Sequence, residues 1–176
     1  MNEEKDMLGK EPVGRLLLKL ALPTVTAQVI NMLYNIVDRI YIGHMAGVGQ
    51  TALTGIGLCF PITMTVSAFA ALIGYGGAPL SSILRGSKRD QRAEQVLGNC
   101  VTALTVLGIV VPLACFLLRE PVLYLFGASD ATYPYANEYI TIYLMGSLPV
   151  MLTLGLNTFI NAQGFTRDGM VTVGIG

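Results

Sequence analysis

The sequence predicts an all-α membrane protein, a bundle of several membrane-spanning helices, and three observations carry that reading. Hydrophobic residues make up 53% of the 176 positions, charged residues only 12%, and the mean hydropathy is +0.60. A soluble domain carries roughly a quarter charged residues, so half that proportion leaves too few solubilising groups to cover a surface. The apolar residues gather into stretches long enough to cross a bilayer core of about 30 Å. The basic residues fall almost entirely on one side of those stretches.

Residues 1–15, "MNEEKDMLGKEPVGR", form a polar N-terminal segment without the short apolar core and cleavage site of a signal peptide. Residues 16–176 read as part of a transmembrane bundle. The spans run from about Leu16 to Ile42, Ala52 to Leu80, Val96 to Leu118 and Tyr135 to Ala162, and a fifth apolar run begins at about Met170. Seven residues cannot complete a span, so the chain is expected to be the front part of a longer protein. The segment 119–134 after the third span contains "VLYLFG" and is expected to lie along the interface as a short amphipathic piece.

Lys5, Lys10, Arg15 and Lys19 flank the first span on one side. Arg85, Lys88, Arg89 and Arg92 follow the second, and Arg167 follows the fourth. The opposite loops offer only Arg119. By the positive-inside rule the N-terminus is expected in the cytoplasm of a multi-pass protein of the cell membrane. Net charge is zero, so no basic footprint for nucleic acid is present. Cys59, Cys100 and Cys115 lie in apolar runs without a CxxC pair, which fits small buried hydrophobes, and no metal site is expected. A membrane-embedded enzyme would need paired acids or an intramembrane histidine cluster, and neither is visible. Pro23, Pro61, Pro112 and Pro149, with Gly74, Gly76 and Gly77, interrupt the spans. Membrane helices tolerate such residues. They fit ordinary close packing and a shape-changing protein equally well.

The first span holds the residues that most need explanation. At 100° per residue Thr24, Gln28, Asn31, Asn35 and Asp38 fall within about 80° of one another, and their spacing of 4, 3, 4 and 3 is that of one helix face. Lipid cannot satisfy such a stripe, so it must face other helices or water. Asp38 ends it. A carboxylate there is costly unless hydrated, paired or protonated, and such a group can trade a proton or a sodium ion for something else, with Asn35 offering a neutral oxygen one turn away. An interfacial ion pair of Asp38 with Arg39 is the plainer reading of the acid, although it leaves Gln28, Asn31 and Asn35 unexplained. Tyr34 borders the stripe. In the fourth span Tyr139, Tyr143, Asn157 and Asn161 follow helical spacing, and either interhelical packing or cavity lining accounts for the two asparagines.

These residues resemble a known family. "ALPTVTAQVINMLYNIVDRIYIGHMAG" is similar to the first span of the multidrug and toxic compound extrusion (MATE) transporters. "ALTGIGLCFPI", "LRGSKRDQRAEQVLGN", "LYLFGASDATYPYANEYITIYLMGSLP" and "NTFINAQGFTRDGM" resemble the later segments of that family in order. The resemblance implies a twelve-helix, two-bundle transporter of which this chain supplies four helices and the start of a fifth. It implies antiport of organic cations, drugs or toxic compounds against protons or sodium, with no cofactor besides the coupling ion. Asp38 and Asn35 then stand as ion-coupling residues. Gln28, Asn31, Tyr34, Tyr143, Asn157 and Asn161 stand as substrate or cavity residues. The expected partners are a cationic small molecule, the lipid bilayer and the remaining C-terminal part of the same chain, which transport requires. A related flippase for lipid-linked or polysaccharide precursors, or a truncated non-transporting remnant, is the alternative.

Overall fold

A computed structural model describes residues 12–166 and Val171. The expected fifth span and the polar segment up to residue 11 lie outside the described residues. Among the described residues the helices in order are α1 (Val13–Gly43), α2 (Gly49–Leu58), α3 (Phe60–Gly86), α4 (Asp90–Leu125), α5 (Tyr133–Met145) and α6 (Ser147–Ala162). Among the described residues there is no strand. The chain is an all-α membrane bundle.

The expected spans map onto these helices with three corrections. The second span is two helices, α2 and α3, parted at Cys59, with Pro61 in the first turn of α3 where its missing N–H costs nothing. The third span does not stop at Leu118. α4 continues through Arg119 and Pro121 to Leu125, so "VLYL" is its last turn rather than an interfacial piece, and Leu123 is fully buried. The fourth span is broken: α5 and α6 meet at Gly146 with a bend of 58°. Pro149 explains the break, because it cannot donate to the Met145 carbonyl and its ring crowds that carbonyl. The Ser147 hydroxyl, itself buried, donates to Leu144 O at 2.6 Å across the joint.

Among the described residues, Gly49–Gly86 taken as one span and α4 are long and apolar enough to cross a membrane, and the bent α5–α6 pair makes a third if it counts as one span. α1 has 31 residues, about 46 Å of helix. Its length exceeds a bilayer core, but it is not among the helices apolar enough to count as a span, and its polar stripe sets it apart from the more apolar helices.

The core is a set of stripes. Cys59, Ile62, Val66 and Ala70 of α3 and its junction face Leu104 and Val111 of α4, Ile140 of α5 and Met151 of α6. Glycines bring the backbones together. A Cβ added at Gly74 would meet Thr158 Oγ1 at 2.7 Å, and one at Gly155 would meet Leu104 Cδ2 at 2.7 Å. α3, α4 and α6 therefore form the tightest block. α2 lies on α5, where Gly55 approaches the Thr132 carbonyl. Arg119 of α4 ties the far end of α5 down, donating from Nε to Asn137 Oδ1 at 2.8 Å while lying over the Phe116 ring at 3.9 Å.

Three helices end in the same way. In each, one N–H reaches back five residues and the one before it reaches back three, which is the Schellman motif. α4 ends with Ala128 N to Leu123 O and Gly127 N to Tyr124 O. α6 ends with Phe165 N to Ile160 O and Gly164 N to Asn161 O. α3 ends with Arg89 N to Leu84 O and Lys88 N to Arg85 O. The motif puts one residue in the left-handed region. Gly127 and Gly164 fill it at φ 97° and 91°, whereas α3 places Lys88 there at φ 57°.

Candidate ion and cargo site

α1 presents the polar stripe as the spacing predicted, but not against the other helices. Gln28, Asn31, Tyr34, Asn35 and Asp38 are all exposed, Tyr34 to 66%. α1 packs chiefly on α2, and among the described residues it has no substantial interface with α6. The expectation that the stripe lines a space between these helices is therefore not met within this segment. With α2 as its one extensive neighbour, α1 has most of its circumference open.

Within the stripe, Asn35 Nδ2 donates to Asn31 O at 2.8 Å and to Asn31 Oδ1 at 3.0 Å. The two amides thus form one unit, which holds the Asn35 carboxamide oxygen outward and free to accept. Asp38 makes no hydrogen bond or ion pair among the described residues, with Arg39 or with any other group. The interfacial-pair reading finds no partner in the geometry.

The C-terminal end of α1 lies within electrostatic reach of α5. Tyr139 feels the charges of both Asp38 and Arg39. Tyr139 and Tyr143, one helical turn apart, stack with ring centroids 6.4 Å apart at 17°. Tyr143 is packed partly against the core, and Tyr139 remains open. The sequence placed Tyr139 on this face without giving it a role. Its i, i+4 spacing from Tyr143 was the available signal, whereas its nearness to Asp38 depends on how α2 seats α1 against α5. The stacked phenol rings, of which Tyr139 lies within electrostatic reach of Asp38, favour a cation through charge and through the negative faces of the rings.

Asn157 and Asn161 lie on α6, beyond the break. Both are partly buried. Asn157 Oδ1 is sealed from solvent without a hydrogen-bond partner. Buried polar atoms are nearly always paired, and this one has no hydrogen-bond partner among the described residues. The residues expected to form one site thus fall into two groups: Asp38, Asn35 and the tyrosine pair around the α1–α5 neighbourhood, and the asparagines on α6. Among the described residues no cluster of histidine, cysteine and acidic side chains has the makings of a metal site.

The family model for MatE matches residues 23–176. The chain is 25% identical over 166 residues to the "FAD transporter" of Shewanella oneidensis, covering 94% of this chain and 36% of that protein. It is 24% identical over 178 residues to the "Probable multidrug resistance protein NorM" of Thermotoga maritima, covering 97% and 37%. It is 31% identical over 150 residues to the protein of the same name from Pseudomonas putida, covering 85% and 30%. The chain thus spans about a third of the length of the curated relatives it matches. No solved structure matches it.

Proposed function

The chain belongs to the MatE family, and from that membership we propose that it serves an ion-coupled antiporter that exports organic cations, drugs or toxic compounds across the cell membrane, with its N-terminus in the cytoplasm. Transport, not catalysis, is the activity of such a protein. The single observation that carries the coupling role is Asp38: a carboxylate at the end of an amide stripe, with no hydrogen bond or ion pair among the described residues. Asn35, fixed by its two bonds to Asn31, supplies a neutral oxygen one turn away. Tyr139 and Tyr143 supply the aromatic surface that a planar cationic cargo would lie against. Gln28, Asn31, Tyr34, Asn157 and Asn161 supply further polar wall. Binding of a proton or sodium at Asp38 removes the negative charge that attracts the cargo, and that competition is the physical basis of exchange.

The protein in proteoliposomes, energised by a proton gradient or by a sodium gradient at fixed pH, tests the reading. Asp38→Asn keeps size and hydrogen bonding and loses the charge, so ion-driven export of a planar cation such as ethidium should fall to background. Undiminished export by that variant would overturn the assignment. The wild type's response to each gradient separates proton from sodium coupling. A second reading has one specific support. A relative carries the name FAD transporter, and FAD bears phosphates, for which Arg39 beside Asp38 offers a counter-charge. Export of FAD in the same vesicles, with no export of ethidium, would favour it over cationic cargo.

A further inference from the structure

α5 carries its tyrosine surface on one flank and an anchor on the other. Ala136, Ile140 and Leu144 form its buried stripe. Asn137 and Tyr139 flank that stripe on opposite sides, about 160° apart around the helix axis. The stripe is apolar, and apolar contact is non-directional. It presses α5 against its neighbours without fixing how far the helix is rolled about its own axis. Cys59 Sγ donates to Ala136 O at 3.3 Å, but a thiol is a weak donor, and the bond meets the backbone close to the axis, where it has little leverage on roll.

Arg119 supplies the directional constraint. Its Nε donates to Asn137 Oδ1 at 2.8 Å. The guanidinium is held in turn by its own helix: it lies over the Phe116 ring at 3.9 Å, and its Nη1 donates to Phe116 O at 3.4 Å. Glu120 and Glu138 adjoin Arg119 and Asn137 in sequence and are exposed, yet Arg119 forms an ion pair with neither. A cation that bonds a neutral amide with two carboxylates so close in sequence is acting as a geometric post. The consequence falls on the far flank. Side chains stand about 5–6 Å from a helix axis, so each ten degrees of roll moves the Tyr139 ring by about 1 Å.

We propose that Arg119 is a positioning residue for the cargo surface: through Asn137 it sets the roll of α5, and so holds the stacked Tyr139 and Tyr143 rings in register with Asp38 on α1. The proposal rests on the reading of those rings as the wall that a planar cation lies against. Arginine is required and lysine is not equivalent, because only the guanidinium has both the Nε–H and a flat face to lay on Phe116.

The test uses the whole protein in proteoliposomes. Arg119→Lys should raise the KM for ethidium about fivefold, the factor carried by one cation–π contact, with little change in maximal rate. A merely structural defect would lower the maximal rate and leave KM alone. Asn137→Leu removes the acceptor and should match Arg119→Lys, whereas Asn137→Asp keeps it and should restore a KM close to that of the wild type. A fluorotyrosine in place of Tyr139 reads the placement without transport: its fluorine NMR line should shift or broaden in Arg119→Lys and in Asn137→Leu. A wild-type KM or an unmoved fluorine line in these two variants refutes the proposal, and if Asp38→Asn still abolishes export, the coupling reading survives that failure. If the wild type exports no ethidium, the cargo reading falls, and the fluorine line alone decides whether Arg119 sets the roll. If Arg119→Lys fails to fold by circular dichroism, Asn137→Leu decides it.

Discussion

Replacing Gly74 by alanine should weaken the protein by a calculable amount. Gly74 lies where α3 crosses α6. The new Cβ would stand 2.7 Å from Thr158 Oγ1, 3.0 Å from the Gly155 carbonyl oxygen and 3.1 Å from Thr158 Cγ2. The hydroxyl cannot swing away freely, because it donates to Gly155 O at 2.6 Å. Turning it out forfeits that bond, about 1 kcal/mol. Keeping it forces the helices apart at their closest point, and overpacking of this kind costs about 1–3 kcal/mol. Alanine returns up to about 1 kcal/mol through its better helix propensity. The net expectation is a loss of about 1–2 kcal/mol. Gly76 is the internal control: it lies in the same helix with nothing within 4 Å of its added Cβ. Gly76→Ala should therefore show only the propensity gain, about 0.5–1 kcal/mol of stabilisation. Unfolding in mixed micelles, followed by circular dichroism, should move the two variants in opposite directions from the wild type. If Gly74→Ala is as stable as Gly76→Ala, the reasoning from close approach is wrong.

Two further outcomes are expected. Lys88→Gly should raise stability by about 0.5–1 kcal/mol by relieving the left-handed backbone, read in the same unfolding assay, and a loss of stability would mean that Lys88 makes a stronger contact than its strain. Asn157→Leu should stabilise the fold by about 1 kcal/mol or more, because it removes an unmet buried amide oxygen, while lowering export in proteoliposomes; a destabilised variant would show that Asn157 serves packing instead.

Hydropathy marked the apolar stretches, because length and apolarity are properties of the chain itself, and among the described residues Gly49–Gly86, α4 and the bent α5–α6 pair are long and apolar enough to cross a membrane. It failed at the ends of elements for identifiable reasons. Arg119, Glu120 and Pro121 read as a stop after the third span, yet α4 runs through them, since the arginine lies along Phe116 and bonds Asn137 across to α5. Pro149 read as one of several interruptions that a membrane helix tolerates, and the angle between α5 and α6 depends on which neighbours each half packs against. The stripe of Gln28, Asn31, Asn35 and Asp38 was legible from spacing alone. That Asn35 is tied to Asn31, that Tyr139 lies within electrostatic reach of Asp38, and that Asn157 Oδ1 and Arg85 Nε are buried without partners among the described residues are facts of tertiary placement. No one-dimensional pattern encodes them.

The break at Gly146 acts as the fulcrum of a lever. α6 is clamped between α3 and α4, and α5 is held between α2 and α4, to which Arg119 bonds Asn137. Tyr139 stands seven residues from the fulcrum, about 10 Å along the helix. Every ten degrees of change in the 58° angle therefore carries its ring by about 2 Å, while Asn157, on the clamped arm, stays where it is. A change of angle would therefore have to draw Ile140 and Leu144 out of the core that now buries them, so the packing of α5 holds the aromatic surface at its present distance from the buried amide.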